Sequence, residues 1–232
     1  MTQRMLHIAS PLFVRESELQ ERSIEQLFNR PQPLAVEIGC GIGDFIAQLA
    51  AAHPERNYLA IDIYNKGCLK TCRRVETAGL DNVRVMRIEA RHLLASYFKA
   101  ESLAAVYINC PDPWPKKRHR YRRLINPEFM QLLLFVLLPN GDFFFSTDFT
   151  DYAEQVAELL PQLDAYRNQL SAPSATELPG YPISKYMRRF LDLGQPIHFV
   201  HYRKRADLPA EAIVKPDISP GFRTVQKLFG HD

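Results

Sequence analysis

Residues 34–43 read LAVEIGCGIG, and DFIAQLAAA follows at once. A short, largely apolar run that ends in alternate glycines marks a strand buried on both faces, as in a parallel sheet. The glycines let the backbone turn tightly and approach a ligand. Asp44 is expected to cap the helix that follows, which stops near His53-Pro54. No other feature restricts the fold as much, because strand, glycine turn and helix in this order belong to an α/β crossover unit.

The same alternation continues along the chain. Strands are expected over 58–63 (YLAIDI), 83–88 (VRVMRI), 103–110 (LAAVYINC), 142–148 (DFFFSTD) and 198–204 (HFVHYRK). Helices are expected over 65–79, closed by Gly79, over 92–98, and from Asn126-Pro127 to Pro139-Asn140-Gly141, with a further one in DYAEQVAELLPQL. Asn126 followed by proline is a capped helix start. Right-handed crossovers then give a mostly parallel sheet with helices on both faces, a Rossmann-like α/β fold. A length of 232 residues, 46% of them hydrophobic, suits one such domain. Residues 34–205 are read as that domain. Residues 1–33 are read as an N-terminal helical arm, with Leu19, Ile24, Leu27 and Phe28 at helical spacing. Residues 206–232 are read as an extension in which Pro209, Pro216 and Pro220 favour an extended strap and FRTVQKLF a short docking helix.

Ligands of such sheets sit at the carboxyl ends of the strands. Gly39, Gly41 and Gly43 are spaced G-x-G-x-G, unlike the G-x-G-x-x-G that seats a pyrophosphate, and Glu37 precedes them. A carboxylate there suits a cationic amino-acid moiety better than a phosphate. Asp62, at the end of the second strand, is placed to accept ribose hydroxyls, and Glu89-Ala90, after the third, to meet an adenine edge. S-adenosylmethionine has an amine, a sulfonium and no phosphate, and is the cofactor this set fits.

After the fourth strand comes CPDPWPKKRHRYRR. Prolines on both sides of Asp112 stiffen its loop. A rigid carboxylate beside Trp114 is a platform for a planar base. The run 116–123 holds six Lys/Arg and no acid although the whole chain is only +3, the footprint of phosphate binding, and Tyr121 adds a stacking group. His119 sits in this run and is read as a phosphate contact.

The segments VEIGCGIGDF, AID, PDPWPKKRH with its trailing RR, STDFTDYAE and ISKY…LG closely resemble the bacterial tRNA (guanine-N7)-methyltransferase family over about residues 34–204. The resemblance implies a class I methyltransferase fold and methyl transfer from S-adenosylmethionine to guanine N7 in tRNA. It implies that Glu37, Asp62, Glu89 and Asp112 line the cofactor and that Asp112 is also the catalytic residue. It further implies that Lys116 and Asp148 contact substrate, and that Ser184-Lys185-Tyr186 stand where the family has a substrate-binding T-x-[FY]-E stretch. Two positions depart from the pattern. Met187 replaces the family's glutamate, which bears on base selectivity, and Cys110 replaces a common aromatic. Alternatives are a methyltransferase of the same fold acting on another RNA base or a small molecule, and a non-catalytic RNA-binding relative.

Cys40, Cys68, Cys72 and Cys110 show no zinc spacing, and no metal is expected. Cys68 and Cys72, four apart on one helix, read as packing residues. Cys40 and Cys110, both at strand ends, form a candidate redox pair. No signal peptide or membrane-length apolar run is present, so a cytoplasmic protein is expected, working as a monomer or homodimer.

Overall fold

The computed structural model describes residues 7–218; FRTVQKLF and Pro220 lie outside them. Its strands are β1 (Phe13–Val14), β2 (Leu34–Ile38), β3 (Asn57–Asp62), β4 (Val83–Arg87), β5 (Leu103–Asn109), β6 (Leu137–Thr147), β7 (Tyr166–Asn168) and β8 (His198–Lys204). Its helices are α1 (Asp44–Ala52), α2 (Asn65–Thr77), α3 (Ala90–Tyr97), α4 (Pro127–Val136), α5 (Thr150–Leu159) and α6 (Lys185–Asp192).

The strands form one sheet in the order β1-β4-β3-β2-β5-β6-β8-β7. All pairs are parallel except β6/β8 and β7/β8. Strand order reverses between β2 and β5, which opens a crevice at their carboxyl ends.

Period-two alternation sends each strand's side chains to two different cores. In β3, Leu59 and Ile61 join Leu93, Phe129, Leu133 and Tyr152 on one side. Tyr58 and Ala60 join Phe45, Ile46, Cys68, Cys72 and Val75 on the other. The two cysteines of α2 are fully buried packing residues, as their spacing predicts.

Four local outcomes differ from the sequence reading. The helix expected within 16–28 is two 3-10 turns, Glu16–Gln20 and Glu25–Leu27. Side chains there compete for backbone donors, with Glu18 accepting from Arg15 N–H and Gln26 from Ser23 N–H, each at 2.8 Å. Ile24, Leu27 and Phe28 enter the core, while Phe13 and Val14 pair with Val85 and Met86 as an edge strand. Second, Gly43, not Asp44, is the cap residue of α1, at φ 75°. A Cβ there would also lie 2.8 Å from Thr71 of α2, so only glycine both turns the chain and lets α2 in. Third, α4 stops at Val136, before Pro139 forces the preceding residue out of helical geometry. The freed carbonyls of Leu134 and Leu137 accept from the buried ammonium of Lys204 at 2.9 and 2.8 Å, and Glu101 balances its charge at 3.0 Å. Fourth, β1, β7 and α6 have no counterpart among the elements expected from sequence.

Among the described residues beyond β8, the chain is irregular except for a 3-10 turn at Ala210–Ala212, and Leu208 and Ile218 pack on the core. No helix among the described residues is long and apolar enough to cross a membrane.

Candidate active site

The crevice at the β2/β5 switch point holds a cavity of about 300 Å³. Ile38, Ile61, Ile63, Ile88 and Leu124 give it apolar walls, and Gly39, Asp62, Glu89, Ala90 and Asp112 supply polar edges. Five of the residues singled out from sequence therefore meet in one space.

Each is held by its own local structure. Asp62 ends β3, and its carboxylate accepts the N–H of Gly41 at 2.9 Å and of Tyr64 at 2.8 Å. It thereby fixes the glycine loop. Gly67, in the first turn of α2, stands so close that a Cβ would lie 2.5 Å from the carbonyl oxygen of Gly41. Glu89 caps α3 by accepting His92 N–H at 2.9 Å through Oε2.

Glu37 lies behind the cavity lining. It is 1% exposed, and its Oε2 has no hydrogen-bond partner among the described residues. Burial pushes its carboxyl up to about 8, with the Asn109 side chain pulling it down and Asp62 and Asp44 pushing further up. An orphaned carboxyl oxygen in a core is costly unless something is to arrive beside it.

Asn109 is a site residue that sequence reasoning passed over. Its Oδ1 accepts from Tyr181 Oη at 2.7 Å and Ser146 Oγ at 2.9 Å, joining β5, β6 and the 169–184 segment. A lone amide ending an apolar strand was the available signal. Arg91 was also missed. It lines the cavity from α3, and its Nε has no partner among the described residues.

The loop after β5 carries two strained residues, Cys110 at φ 43° and Trp114 at φ 45°. Left-handed backbone at non-glycine residues costs on the order of 1–3 kcal/mol each, and such strain gathers at functional sites. The loop is held from both ends. Cys110 N–H donates to Ser146 O at 2.8 Å. Arg123 Nε donates to Pro113 O at 2.8 Å. Asp112 stands exposed at the cavity rim.

The basic run divides into two kinds of residue. Arg123 is fully buried, donating to Asp151 at 2.5 Å and Gln155 at 2.6 Å and lying over the Tyr152 ring. Arg120 also pairs with Asp151, and Arg122 lies over the Trp114 ring at 4.9 Å. These three build the loop. Lys116, Lys117 and Arg118 are exposed. Slight desolvation and then Arg122, Arg118 and Lys116 hold the His119 imidazole below its usual range, so it adds no charge at neutral pH.

The remaining expected residues lie outside the cavity lining. Asp148 follows β6 and, after burial, is the main influence raising Cys110 to about 12. Ser184 caps α6, accepting Met187 N–H at 3.2 Å. Lys185 N–H donates to Asp44 at 2.6 Å. Tyr186 is half exposed, and burial followed by Asp148 and Cys110 raises its phenol. Met187 points inward, fully buried with Ile197 and Phe199. Cys40 keeps company with Cys68 and Thr71, whereas Cys110 sits by Ser146 and Asp148. Both thiols are pushed up, away from reactive thiolate.

A family model described as "Putative methyltransferase" matches residues 31–200. The tRNA (guanine-N(7)-)-methyltransferase of Syntrophotalea carbinolica is 57% identical over 225 residues, 97% of each chain. This chain belongs to the tRNA (guanine-N7)-methyltransferase family. Another member, from Geobacter metallireducens, is 53% identical over 88% of this chain and 98% of its own. Among solved structures, the 16S rRNA methyltransferase KamB superposes with TM-score 0.56 at 13% identity, covering 82% of this chain and 92% of KamB. An rRNA methylase from Streptococcus thermophilus gives 0.52 at 17%, covering 88% and 99%. At such identities these two establish the fold alone, a Rossmann-like α/β architecture.

Proposed function

We propose that this protein transfers a methyl group from S-adenosylmethionine to N7 of a guanine in tRNA. The observation that carries the reading is the strained, doubly anchored loop that holds Asp112 at the rim of a cavity edged by Gly39, Asp62 and Glu89. Family membership supports methyl transfer to tRNA as the reaction that arrangement serves.

The donor set fits the cofactor. Glu37 offers an unpartnered buried oxygen to a cationic amine, with Glu89 and Asp62 at the cavity edge for hydroxyl and amine donors. The isoleucine walls suit an adenine face and exclude water. When bound, the cofactor supplies a methyl group activated by a sulfonium.

The chain's own work is mostly alignment. Guanine N7 has a free lone pair at neutral pH, so no proton has to leave first. The ring becomes cationic as the bond forms, and Asp112 orients it and offsets that charge. Holding both reactants in line can supply about 7–11 kcal/mol of the barrier reduction. Lys116 and Asp148 border the approach, Tyr186 offers a half-exposed ring, and Ser184 and Lys185 fix the start of its helix. The reading takes residues 34–205 as the catalytic unit with additions at either end. It also takes the protein as cytoplasmic, where tRNA is found, and as a monomer or homodimer.

The test is methyl transfer from labelled S-adenosylmethionine to unmodified tRNA, followed by nucleoside analysis. Labelled 7-methylguanosine is the expected product. Cofactor binding with no transfer to tRNA would overturn the substrate assignment.

A further inference from the structure

We propose that the groove between α1 and α2 is a second RNA-binding surface, which takes backbone phosphates of the substrate tRNA remote from the methylated base. The inference rests on tRNA being the substrate.

Helical spacing puts Lys66, Lys70 and Arg73 in one stripe along the exposed face of α2, spanning about 10 Å. The opposite face of the helix, with Cys68, Thr71, Cys72 and Val75, is buried. None of the three cations has a hydrogen bond or ion pair among the described residues. Lys70, Arg73 and Arg74 line the groove together with Asp44, three cations against one carboxylate. That carboxylate is already engaged by Arg74 at 2.6 Å and by Lys185 N–H. Glu76 of the same helix is taken by Ser10 at 2.5 Å. That bond leaves the Glu76 charge in place, so the stripe keeps a net positive charge from Lys66, Lys70 and Arg73 that Glu76 offsets only in part.

The floor of the groove is apolar. Ala47 and Ala51 belong to α1, and Ile42, at the tip of the glycine loop, is left 37% exposed. Cations above an apolar floor match the phosphates and sugars of a nucleic-acid strand.

The groove also joins the active site. Lys185 N–H to Asp44, and Gln48 Nε2 to Ile183 O at 3.3 Å, seat the start of α6 on the start of α1. Ile42 and Asp44, which line the groove, continue the glycine turn whose Gly39 edges the cavity.

The test is filter binding of full-length unmodified tRNA over a range of KCl, comparing the wild-type protein with Lys66→Ala/Lys70→Ala/Arg73→Ala. Alanine is a good helix former at these exposed sites, so α2 is retained. S-adenosylhomocysteine binding, measured alongside, reports that the fold and cavity are intact. The variant is expected to lose about tenfold or more in affinity at low salt. Its salt slope should fall by roughly 0.7–0.9 for each phosphate no longer neutralised. A short stem-loop carrying the target guanosine, too small to reach the groove, should bind both proteins equally. If the wild-type protein binds tRNA and the variant keeps its affinity and slope, the stripe is solvated surface and the inference falls alone. Equal losses on tRNA and stem-loop would also overturn it. If the wild-type protein shows no salt-dependent tRNA binding, the substrate reading falls and the groove's role with it.

Discussion

Arg123 and Asp151, 28 residues apart, meet at 2.5 Å with the arginine side chain fully buried. The same guanidinium holds the carbonyl of Pro113, beside Asp112. An ion pair that looks structural therefore also anchors the loop that carries Asp112. Removing one partner of a buried pair leaves an uncompensated charge, at a cost of about 3–5 kcal/mol. Asp151→Ala should lower the urea midpoint accordingly, and Arg123→Ala should also reduce kcat by loosening the loop. Arg118→Ala, at an exposed position, should leave the midpoint unchanged. Equal midpoints for all three variants would remove Arg123 from this role.

Asp112 stands at the rim and is exposed, so its loss should not disturb the core. Asp112→Ala should lower kcat by roughly 10²–10³, the usual worth of one group aimed at developing charge. Its circular dichroism and melting temperature should match the wild type. Near-normal turnover with labelled methyl donor would exclude Asp112 from the chemistry.

Glu37 supplies a test by proton counting. Its carboxyl is raised from an ordinary 4.5 to about 8, chiefly by burial, so it is largely protonated at pH 6.5. A cationic amine beside it favours the ionised form, and binding should release about one proton there. Calorimetric titration in two buffers of different ionisation enthalpy reads this number. Glu37→Gln should release none. The same shift bears on stability. The folded pKa exceeds the unfolded one, so the contribution is fully present below pH 4.5 and is lost as pH rises towards 8. Glu37→Gln should remove that slope from the stability profile. An unchanged profile would mean that the carboxyl is solvated.

Met187 is where family resemblance and geometry point in different directions. The family's glutamate suggests a base contact, but Met187 is fully enclosed with Ile197 and Phe199. Met187→Glu should therefore destabilise the fold by about 3 kcal/mol or more at pH 7, because it buries an unpaired charge. The loss should ease as pH falls and the new carboxyl protonates. Met187→Leu, which nearly conserves volume, should cost less than about 1.5 kcal/mol. A stable Met187→Glu variant with altered base preference would return the position to the substrate side.

Much of the frame was legible because β2 to β5 bury both faces and end in glycine, acid or proline, signals that survive any packing detail. Gly39, Asp62, Glu89, Ala90 and Asp112 could be gathered from strand ends alone. The rest depends on contacts distant in sequence. Periodicity around Ile24 and Leu27 was right about burial and wrong about the helix, because side chains of Glu18 and Gln26 satisfy the backbone locally. Nothing in KKRHRYRR distinguishes Arg123, which is buried, from Arg118, which is not; Asp151 makes that choice from another helix. Asp44 reads as a cap, yet its partners are Arg74 and Lys185.

That last bond has a geometric consequence. On the proposed reading, one end of it starts the helix that follows the loop meeting the methyl donor, and the other starts the helix that faces the acceptor. The two lie 141 residues apart along the chain. Were their spacing fixed only through the intervening sheet, small displacements of every strand would accumulate between the reactants. The Asp44 carboxylate, helped by Gln48, short-circuits that path, so their spacing is held by hydrogen bonds made directly between them.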